Sequence, residues 1–293
     1  MTELVLNHMG AYPTVLRRIL QYGERRSPRG LATFDLGFTT LTVLDARGGM
    51  PLGLGRKLNP AIGAVEAAQL IAGVSDPELV LRLAPQFERY SDTAEDGTGT
   101  RMFWGAYGER IKLQAHCAIE KLTTDPNTRQ AVITLWDPWL DNVPGKRDYP
   151  CTIALHFYMH HGLIDMNVIM RSNDAWLGLP YDVFQFTQLQ ECVARALGTT
   201  PGTYRHTALS LHLYERDAEA ARELIQQYTR NDKSVMTRYI ETFQPTGMGR
   251  PGDTFSRIMD RAQAILVNDT LQEETTSERW YREQLHGQPA NVG

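Results

Sequence analysis

Apolar residues recur at helical spacing in several stretches of the chain. Val15, Leu16 and Ile19 place an apolar face on a helix over residues 12–23. Residues 60–72 predict a buried helix, because Ala, Ile, Val and Leu dominate there and Glu66 is the only charged residue. Further helices are expected from Asp76-Pro77 onward, over residues 103–120, 182–197 and 216–229, and at about 255–267.

Runs rich in β-branched and aromatic residues predict strands between these helices. They cover residues 31–36, 40–45, 131–136, 152–158, 163–170 and 207–213, with a turn at His161-Gly162. Residues 91–100 predict a polar loop, and the tail from His286 to Gly293 reads as flexible. Because no domain linker interrupts the pattern, we predict a single α+β domain over residues 1–293.

Composition limits the partners and the compartment. The 293 residues are 42% apolar and 22% charged with a net charge of −4, so no global basic field is available to hold duplex nucleic acid. Cys117, Cys151 and Cys192 lie far apart, which argues against a disulfide framework or a zinc site and favours a reducing, cytoplasmic location. No apolar run reaches the ~18 residues of a membrane helix, and the N-terminal segment is too short and polar for a signal peptide.

The segment Tyr149-Pro150-Cys151-Thr152 offers a candidate nucleophile at the mouth of a strand. A free cysteine is most often a buried small apolar residue, since reactivity needs access and a lowered thiol pKa. Arg171 and Ser172 follow after one hairpin, so a cation could come close to the thiol. This pair could bind a phosphate through the guanidinium fork and the hydroxyl, or could be an ordinary solvated strand end.

Five other polar residues have both a structural and a chemical interpretation. Glu66 lies in an apolar helix, where a charged side chain is exposed on one face, paired or functional. His212 and Tyr214 share one face of a strand and could bind a sugar or serve only packing. Asp174 and Asp182 could be ordinary helix caps.

Taken together, the run from Arg171 to Asp182, RSNDAWLGLPYD, resembles the thymidylate synthase signature R-S-x-D-x-x-L-G-x-P-F-N. It follows Pro150-Cys151 and precedes His212-Leu213-Tyr214 at the spacing of that family. Further elements that follow the family are Asp125–Arg129 (its D-P-x-S-R), Ala106–Gly108 (its V-Y-G), Pro51-Leu52, Arg56-Lys57, Glu66 and Gly73. The resemblance covers roughly residues 26–217, whereas residues 218–293 diverge.

The resemblance implies a homodimeric α+β fold, with a large mixed sheet that is flanked by helices and mediates the dimer. It also implies one-carbon transfer from 5,10-methylenetetrahydrofolate without a metal. Cys151 would attack C6 of a pyrimidine nucleotide, and Glu66 would handle protons through ordered water. The phosphate and the sugar would be bound by Arg26 or Arg29, Arg171, Ser172, His212 and Tyr214, with Arg129 reaching the site of the other subunit. The folate would contact Arg56, Phe87, Tyr90, Tyr107, Asp174, Leu177, Gly178 and Tyr181.

One departure from the family points to the substrate. Asp182 stands where the family has the Asn that recognises the N3–H and O4 groups of uracil. An Asp can accept from the N4 amino group of cytosine and, when protonated, donate to N3. The change resembles the cytidylate hydroxymethylase branch, whose members add water instead of hydride. The predicted product is therefore 5-hydroxymethyl-CMP or 5-hydroxymethyl-dCMP.

Other departures are smaller. The family's W-x-x-W pair corresponds to Phe87 and Tyr90, which would change how water reaches the reaction centre, and Gln130 replaces a second phosphate-binding Arg. A thymidylate synthase or a dUMP hydroxymethylase is the alternative within the same fold. An inactive nucleotide- or RNA-binding relative is an alternative of another class. A Cys-His hydrolase using His156 or His160 is a further one, although strand alternation puts both on the face opposite Cys151.

Overall fold

A computed structural model describes residues 2–45, 50–51, 58–94, 98–230 and 247–287. The strands in these ranges are β1 (Thr2–Leu6), β2 (Glu24–Arg26), β3 (Thr33–Asp35), β4 (Thr39–Val43), β5 (Asp92–Thr93), β6 (Arg101–Met102), β7 (Val132–Thr134), β8 (Thr152–His160), β9 (Leu163–Met170), β10 (Asn173–Asp174), β11 (Pro201–Ala208) and β12 (Leu211–Tyr214). The helices are α1 (Tyr12–Tyr22), α2 (Pro60–Ala72), α3 (Pro77–Leu83), α4 (Gly108–Thr124), α5 (Pro138–Asp141), α6 (Leu179–Ala196), α7 (Ala218–Arg230), α8 (Phe255–Leu266) and α9 (Thr276–His286).

The largest sheet has the strand order β1-β4-β11-β9-β8-β7. It is mixed, because β1 and β4 run parallel, as do β11 and β9, while the other neighbours are antiparallel. Leu155, Phe157, Met166 and Val168 on its central strands are fully buried. Burial of such side chains against the flanking helices is the main stabilising term of this layer. The α+β fold with a large mixed sheet flanked by helices is therefore confirmed.

The register between β8 and β9 shifts between Thr152 and Ala154, directly after Cys151. At this point the carbonyl oxygen of Ile153 accepts from the backbone N–H groups of both Leu135 and Trp136, at 2.8 and 3.1 Å. A bulge of this kind bends a strand and changes where the neighbouring side chains point. The irregularity thus lies where Cys151 enters the sheet.

A smaller sheet has the order β10-β12-β3-β2. Parallel pairing of β10 with β12 sets Asp174 opposite His212, and antiparallel pairing of β2 with β3 sets Arg26 opposite Thr33. This sheet brings into one layer three segments that are far apart in the sequence.

Helix α2 lies in the interior, where it packs against α4, α6, α8 and α9. The Asn59 side chain caps it by accepting from the Ala61 N–H, and Pro60 occupies its first turn. It ends at Gly73, whose φ of 68° is left-handed and suits glycine. Because nearly all of its faces are covered, α2 carries Glu66 into the protein.

Helices α8 and α9 belong to the divergent C-terminal segment. They pack on α2, and α8 also packs on α6. Arg261 and Glu278 form a buried ion pair at 2.5 Å between the two helices. The Tyr281 hydroxyl donates to Oε1 of Gln188 on α6 at 3.0 Å. The segment therefore supports the two helices that carry Glu66 and Asp182.

The structure differs from the predicted elements most clearly at three places. Residues 207–213 do not form one strand, because the chain crosses from β11 in the large sheet to β12 in the small one at Leu209-Ser210. The helix predicted from residue 103 begins only at Gly108, since the backbone before it is bound elsewhere, with the Gly105 N–H donating to Asp148. The flexible tail was predicted to begin at His286, but His286 is the last residue of α9, a helix that the sequence analysis did not predict. Residues 288–293 lie outside the described ranges.

Candidate active site

Six predicted substrate-binding residues line one cavity of about 740 Å³: Arg26, Arg29, Arg171, Ser172, His212 and Tyr214. Three guanidinium groups together with a serine, a histidine and a tyrosine suit a phosphate attached to a sugar. Arg29 adopts a left-handed conformation with φ of 55°. Arg26 is exposed and forms ion pairs with Glu24 and Asp35 at 3.2 and 3.8 Å.

Cys151 is half-buried beside Arg171, whose Nη2 atom lies 3.8 Å from the sulfur. The same guanidinium donates to the carbonyl oxygens of Pro150 and Tyr149, at 2.9 and 3.2 Å. Burial raises the pKa of the Cys151 thiol to about 11, and the charge of Arg171 opposes that rise. Arg171 is therefore the cation that was expected next to the thiol, and it also binds the backbone of the two residues before Cys151.

A second cavity, of about 270 Å³, brings together Glu66, Asp182, Phe87, Tyr90 and Tyr107. These residues come from α2, α6 and the segments around α3 and α4, and the sequence analysis had singled out all five. The cavity wall also includes two residues that the sequence analysis did not consider, Asp148 and Gln185.

The carboxyl group of Asp182 is buried, with 9% of the residue exposed. Its Oδ2 atom accepts from Nδ2 of Asn173 at 2.7 Å, and its Oδ1 atom accepts from Nε2 of Gln185 at 3.2 Å. Burial raises the pKa of Asp182 to about 7 even though both amide hydrogen bonds favour the ionised form. At neutral pH this carboxyl group is therefore poised between its two protonation states.

A chain of buried hydrogen bonds continues from Asn173. Nε2 of His206 lies 3.0 Å from Oδ1 of Asn173, and the Tyr204 hydroxyl lies 2.9 Å from Nδ1 of His206. Burial lowers the pKa of His206 to about 3, so the imidazole is neutral at neutral pH. Since an amide oxygen can only accept, Nε2 carries the proton and Nδ1 accepts from Tyr204. The chain thus directs the NH₂ group of Asn173 towards Asp182.

Glu66 and Tyr107 have strongly perturbed ionisation in the same cavity. Burial, with a smaller contribution from the charge of Asp182, raises the pKa of Glu66 to about 8. Burial likewise raises the pKa of Tyr107 well above its usual value. The Tyr107 hydroxyl accepts from the backbone N–H of Thr152 at 3.2 Å, directly after Cys151. Glu66 therefore holds a proton at neutral pH, as a group that transfers protons must be able to do.

A third cavity, of about 420 Å³, is lined by Phe87, Trp176, Leu177 and Tyr181. Phe87 also lines the cavity of Glu66, so the two spaces adjoin. Aromatic walls of this kind suit a flat ring system.

Two further residues predicted to contact the folate flank the turn between β10 and α6: Asp174 ends β10, and Gly178 immediately precedes α6. The carboxylate of Asp174 accepts from the backbone N–H groups of Trp176 and Leu177, at 2.8 and 3.3 Å. A side chain on Gly178 would come within 3.1 Å of both Asn173 and Asp182, which explains glycine at that position.

One predicted arginine does not join this group, and another is not described. Arg129 is exposed and does not belong to the described wall of the arginine-lined cavity. Arg56 lies outside the described residues. Across the ranges that the structure covers, no group of three or more His, Cys, Asp or Glu residues could hold a metal ion. Within the same ranges, no helix has the length and apolar character needed to cross a membrane.

The sequence analysis missed five residues of this network: Asp148, Asn173, Gln185, Tyr204 and His206. Two of them could have been identified from their spacing to predicted site residues. Gln185 follows Asp182 by three residues, which places both on one helix face, and Asp148 precedes Cys151 by three residues. Asn173, Tyr204 and His206 become relevant only when β10 and β11 are packed against α6.

Comparison with known proteins agrees with this geometry. The family model described as thymidylate synthase matches residues 10–245. The chain is 27% identical over 252 residues to a deoxyuridylate hydroxymethyltransferase of Bacillus phage SP01, covering 80% of this chain and 64% of that protein. It is 30% identical over 217 residues to a deoxyuridylate hydroxymethyltransferase of Pseudomonas phage M6, covering 71% of this chain and 60% of that protein. It thus spans about three fifths of the length of these relatives. The chain belongs to the thymidylate synthase family.

Proposed function

We propose that this protein is a pyrimidine-nucleotide 5-hydroxymethylase that acts on CMP or dCMP. The observation that carries the proposal is the buried carboxyl group of Asp182, which shares a cavity with Glu66. The protein would take a one-carbon unit from 5,10-methylenetetrahydrofolate and attach it to C5 of the base. Water would then complete the 5-hydroxymethyl group.

Base recognition follows from the hydrogen-bonding capacity of Asp182. A neutral carboxyl group donates through its hydroxyl and accepts through its carbonyl oxygen. Cytosine needs these two functions, because N3 accepts and the N4 amino group donates. Since the pKa of Asp182 is raised to about 7, the neutral form is available at neutral pH. Donation to N3 would also draw charge from the ring when the nucleophile adds.

Cys151 would be the nucleophile. Its thiolate would add to C6 of the ring, and electron density would move to C5, which then attacks the one-carbon unit. Arg171 would stabilise the thiolate through its guanidinium at 3.8 Å. Glu66 would exchange protons with the ring substituent through water, since a carboxyl group with a pKa of about 8 can give and take a proton near neutrality.

The remaining predicted residues would bind the two substrates. Arg171 and Ser172, with Arg26 or Arg29, would hold the phosphate in the cavity of about 740 Å³, and His212 and Tyr214 would meet the sugar. The aromatic third cavity fits a pterin-like ring, because Phe87, Leu177 and Tyr181 supply flat or apolar contacts. Tyr90 and Tyr107 line the adjoining cavity that holds Glu66. Asp174 and Gly178 flank the turn between β10 and α6.

The test is an assay with CMP, dCMP and dUMP, each tritiated at C5, in the presence of methylenetetrahydrofolate. Tritium release from a cytidylate, with a product heavier by one hydroxymethyl group, is the expected result. Paired titration with CMP and dCMP identifies the sugar. Tritium release from dUMP alone would refute the cytidylate assignment.

A dUMP hydroxymethylase is the second candidate, because both relatives named above carry that description. Neutral Asp182 could also donate to O4 of uracil and accept from N3–H. The product mass separates this candidate from a thymidylate synthase, since hydride transfer would give a methyl group and dihydrofolate.

We also propose that the protein is a homodimer through the outer face of the large sheet. That face exposes Val132 and Ile169, with 44% and 39% of each residue accessible. The ring of His156 on the same sheet has a buried Nε2 atom without a partner among the described residues. Arg129 would then reach the site of the other subunit. Mixing inactive Cys151→Ser with inactive Arg129→Ala protein should restore activity, because one site per mixed dimer is complete; no restoration would refute the shared site.

A further inference from the structure

The segment 148–151 forms a wall between two of the cavities. Asp148 lines the cavity that holds Glu66 and Asp182, whereas the next residue, Tyr149, lines the arginine-rich cavity. Cys151 ends the segment. Under the proposed function the phosphate and the sugar lie on the arginine-rich side of this wall, whereas the base, recognised by Asp182, meets the one-carbon unit on the other side. Asp148 therefore faces the side on which the one-carbon unit and its attacking water arrive.

The Asp148 side chain is held in place rather than free to turn. Its Oδ2 atom accepts from the backbone N–H of Gly105 at 3.0 Å. A side chain on Gly105 would lie 2.8 Å from this oxygen and 2.8 Å from the carbonyl carbon of Tyr149, so glycine permits the close approach. Arg171 holds the other side of the segment through the carbonyl oxygens of Tyr149 and Pro150. A fixed carboxylate is the geometry that a general base requires.

The charge state of Asp148 differs from that of Glu66. Burial raises the pKa of Asp148 to about 6, and the Gly105 hydrogen bond and the charge of Arg171 oppose the rise. At pH 7 Asp148 is therefore mostly ionised, whereas Glu66, with a pKa of about 8, is mostly protonated. Two carboxyl groups whose environments separate their pKa values can divide the roles of base and acid.

We propose that Asp148 is the general base that activates the water molecule in the hydroxymethylation step. This inference rests on the proposed function. In the step, the water oxygen forms a bond to the exocyclic methylene carbon on C5, and the water proton passes to the Asp148 carboxylate. The electron pair of the exocyclic double bond restores the C5–C6 double bond. The C6–sulfur bond breaks, and Cys151 leaves as the thiolate. No oxidant or reductant is consumed.

The test separates this step from the earlier removal of the C5 proton. In Asp148→Asn, tritium release in the first turnover should persist, whereas formation of the hydroxymethyl nucleotide should fall by about 100-fold, a typical loss for a general base. Added 2-mercaptoethanol should react with the exocyclic methylene group that accumulates on C5, and mass spectrometry should detect the resulting thioether. Asp137→Asn is the matched control, because Asp137 is also a partly buried carboxylate that accepts from one backbone N–H, that of Trp139 at 2.8 Å, and lies outside the cavity wall.

Three results would decide against Asp148. The first is unchanged product formation in Asp148→Asn. The second is an equal loss of tritium release and product in an Asp148→Asn protein that still binds nucleotide. The third is an equal effect in Asp137→Asn. If Asp148→Asn does not fold, Asp148→Ala is assayed with sodium formate and with sodium chloride. Recovery with formate alone supports the proposal, and equal activity in both salts refutes it. A wild-type protein that makes no hydroxymethyl nucleotide would instead overturn the proposed function, before any variant is measured.

Discussion

Nδ2 of Asn173 lies 2.7 Å from Oδ2 of Asp182, although Asn173 begins strand β10 and Asp182 lies in the first turn of helix α6. The amide oxygen of Asn173 is occupied by His206, so only its NH₂ group can face the carboxyl group. The buried carboxyl group is therefore met by donors, which favour its ionised form, inside an environment that favours its neutral form. This opposition keeps Asp182 close to its midpoint at neutral pH.

Asp182→Asn should change the base preference. An amide at this position matches O4 and N3–H of uracil and mismatches cytosine, so the ratio of kcat/KM for dCMP to kcat/KM for dUMP should fall by about 100-fold, as expected for one mispaired buried group. Steady-state kinetics with both nucleotides measure it. Asp174→Asn is the control, since a change there should affect both nucleotides equally. An unaltered ratio in Asp182→Asn would refute base recognition by residue 182.

Tyr204→Phe should loosen the hydrogen-bond chain behind Asp182. The substitution leaves Nδ1 of His206 without its donor, which should lower the free energy of unfolding by about 1–3 kcal/mol. Urea unfolding measures this loss. The less restrained Asn173 amide should also reduce discrimination between dCMP and dUMP. Tyr281→Phe removes a comparable buried hydroxyl, bonded to Gln188, and should cost similar stability without changing discrimination. Equal discrimination in both variants would contradict a positioning role.

Alkylation of Cys151 should be slow at neutral pH and accelerate as the pH rises towards 11, because only the thiolate reacts and burial raises the pKa of the thiol to about 11. Iodoacetamide labelling followed by peptide mass spectrometry measures the rate in a Cys117→Ser background. Arg171→Ala should slow labelling further at pH 9, since the charge that opposes the rise is lost. Arg18→Ala, on α1, should have no such effect. Fast labelling at pH 7 would show that the thiol is already activated.

Glu66→Gln should reduce the dependence of stability on pH. The pKa of Glu66 is about 8 in the folded protein against 4.5 for the ordinary group. The stability that this difference contributes is therefore fully present below pH 4.5 and is lost as the pH rises to 8. Between pH 5 and pH 8 the wild-type protein should lose about 2–4 kcal/mol more than Glu66→Gln. Urea unfolding across this range measures it, with the exposed Glu120→Gln as control. Parallel curves for wild type and Glu66→Gln would contradict the raised pKa.

Much of the secondary structure was predictable because it depends on local sequence. The apolar spacing and the Asn59–Pro60 start of α2 define that helix without reference to the rest of the fold. The two strands of the β8–β9 hairpin and the turn at His161-Gly162 were predicted for the same reason. The division of residues 207–213 between two sheets was not predictable, because strand alternation is the same whichever sheet the strand joins.

The sequence alone determined which side chains could perform chemistry: the spacing of Cys151, Arg171 and Asp182 along one signature, with Glu66 in an apolar helix, singled them out. Only the tertiary structure decided their charge states and their partners. The pKa values of Glu66, Asp148 and Asp182 are raised because helices and strands from distant parts of the chain exclude water around them. Desolvation depends on everything that surrounds a group in space, and no local pattern of residues encodes it.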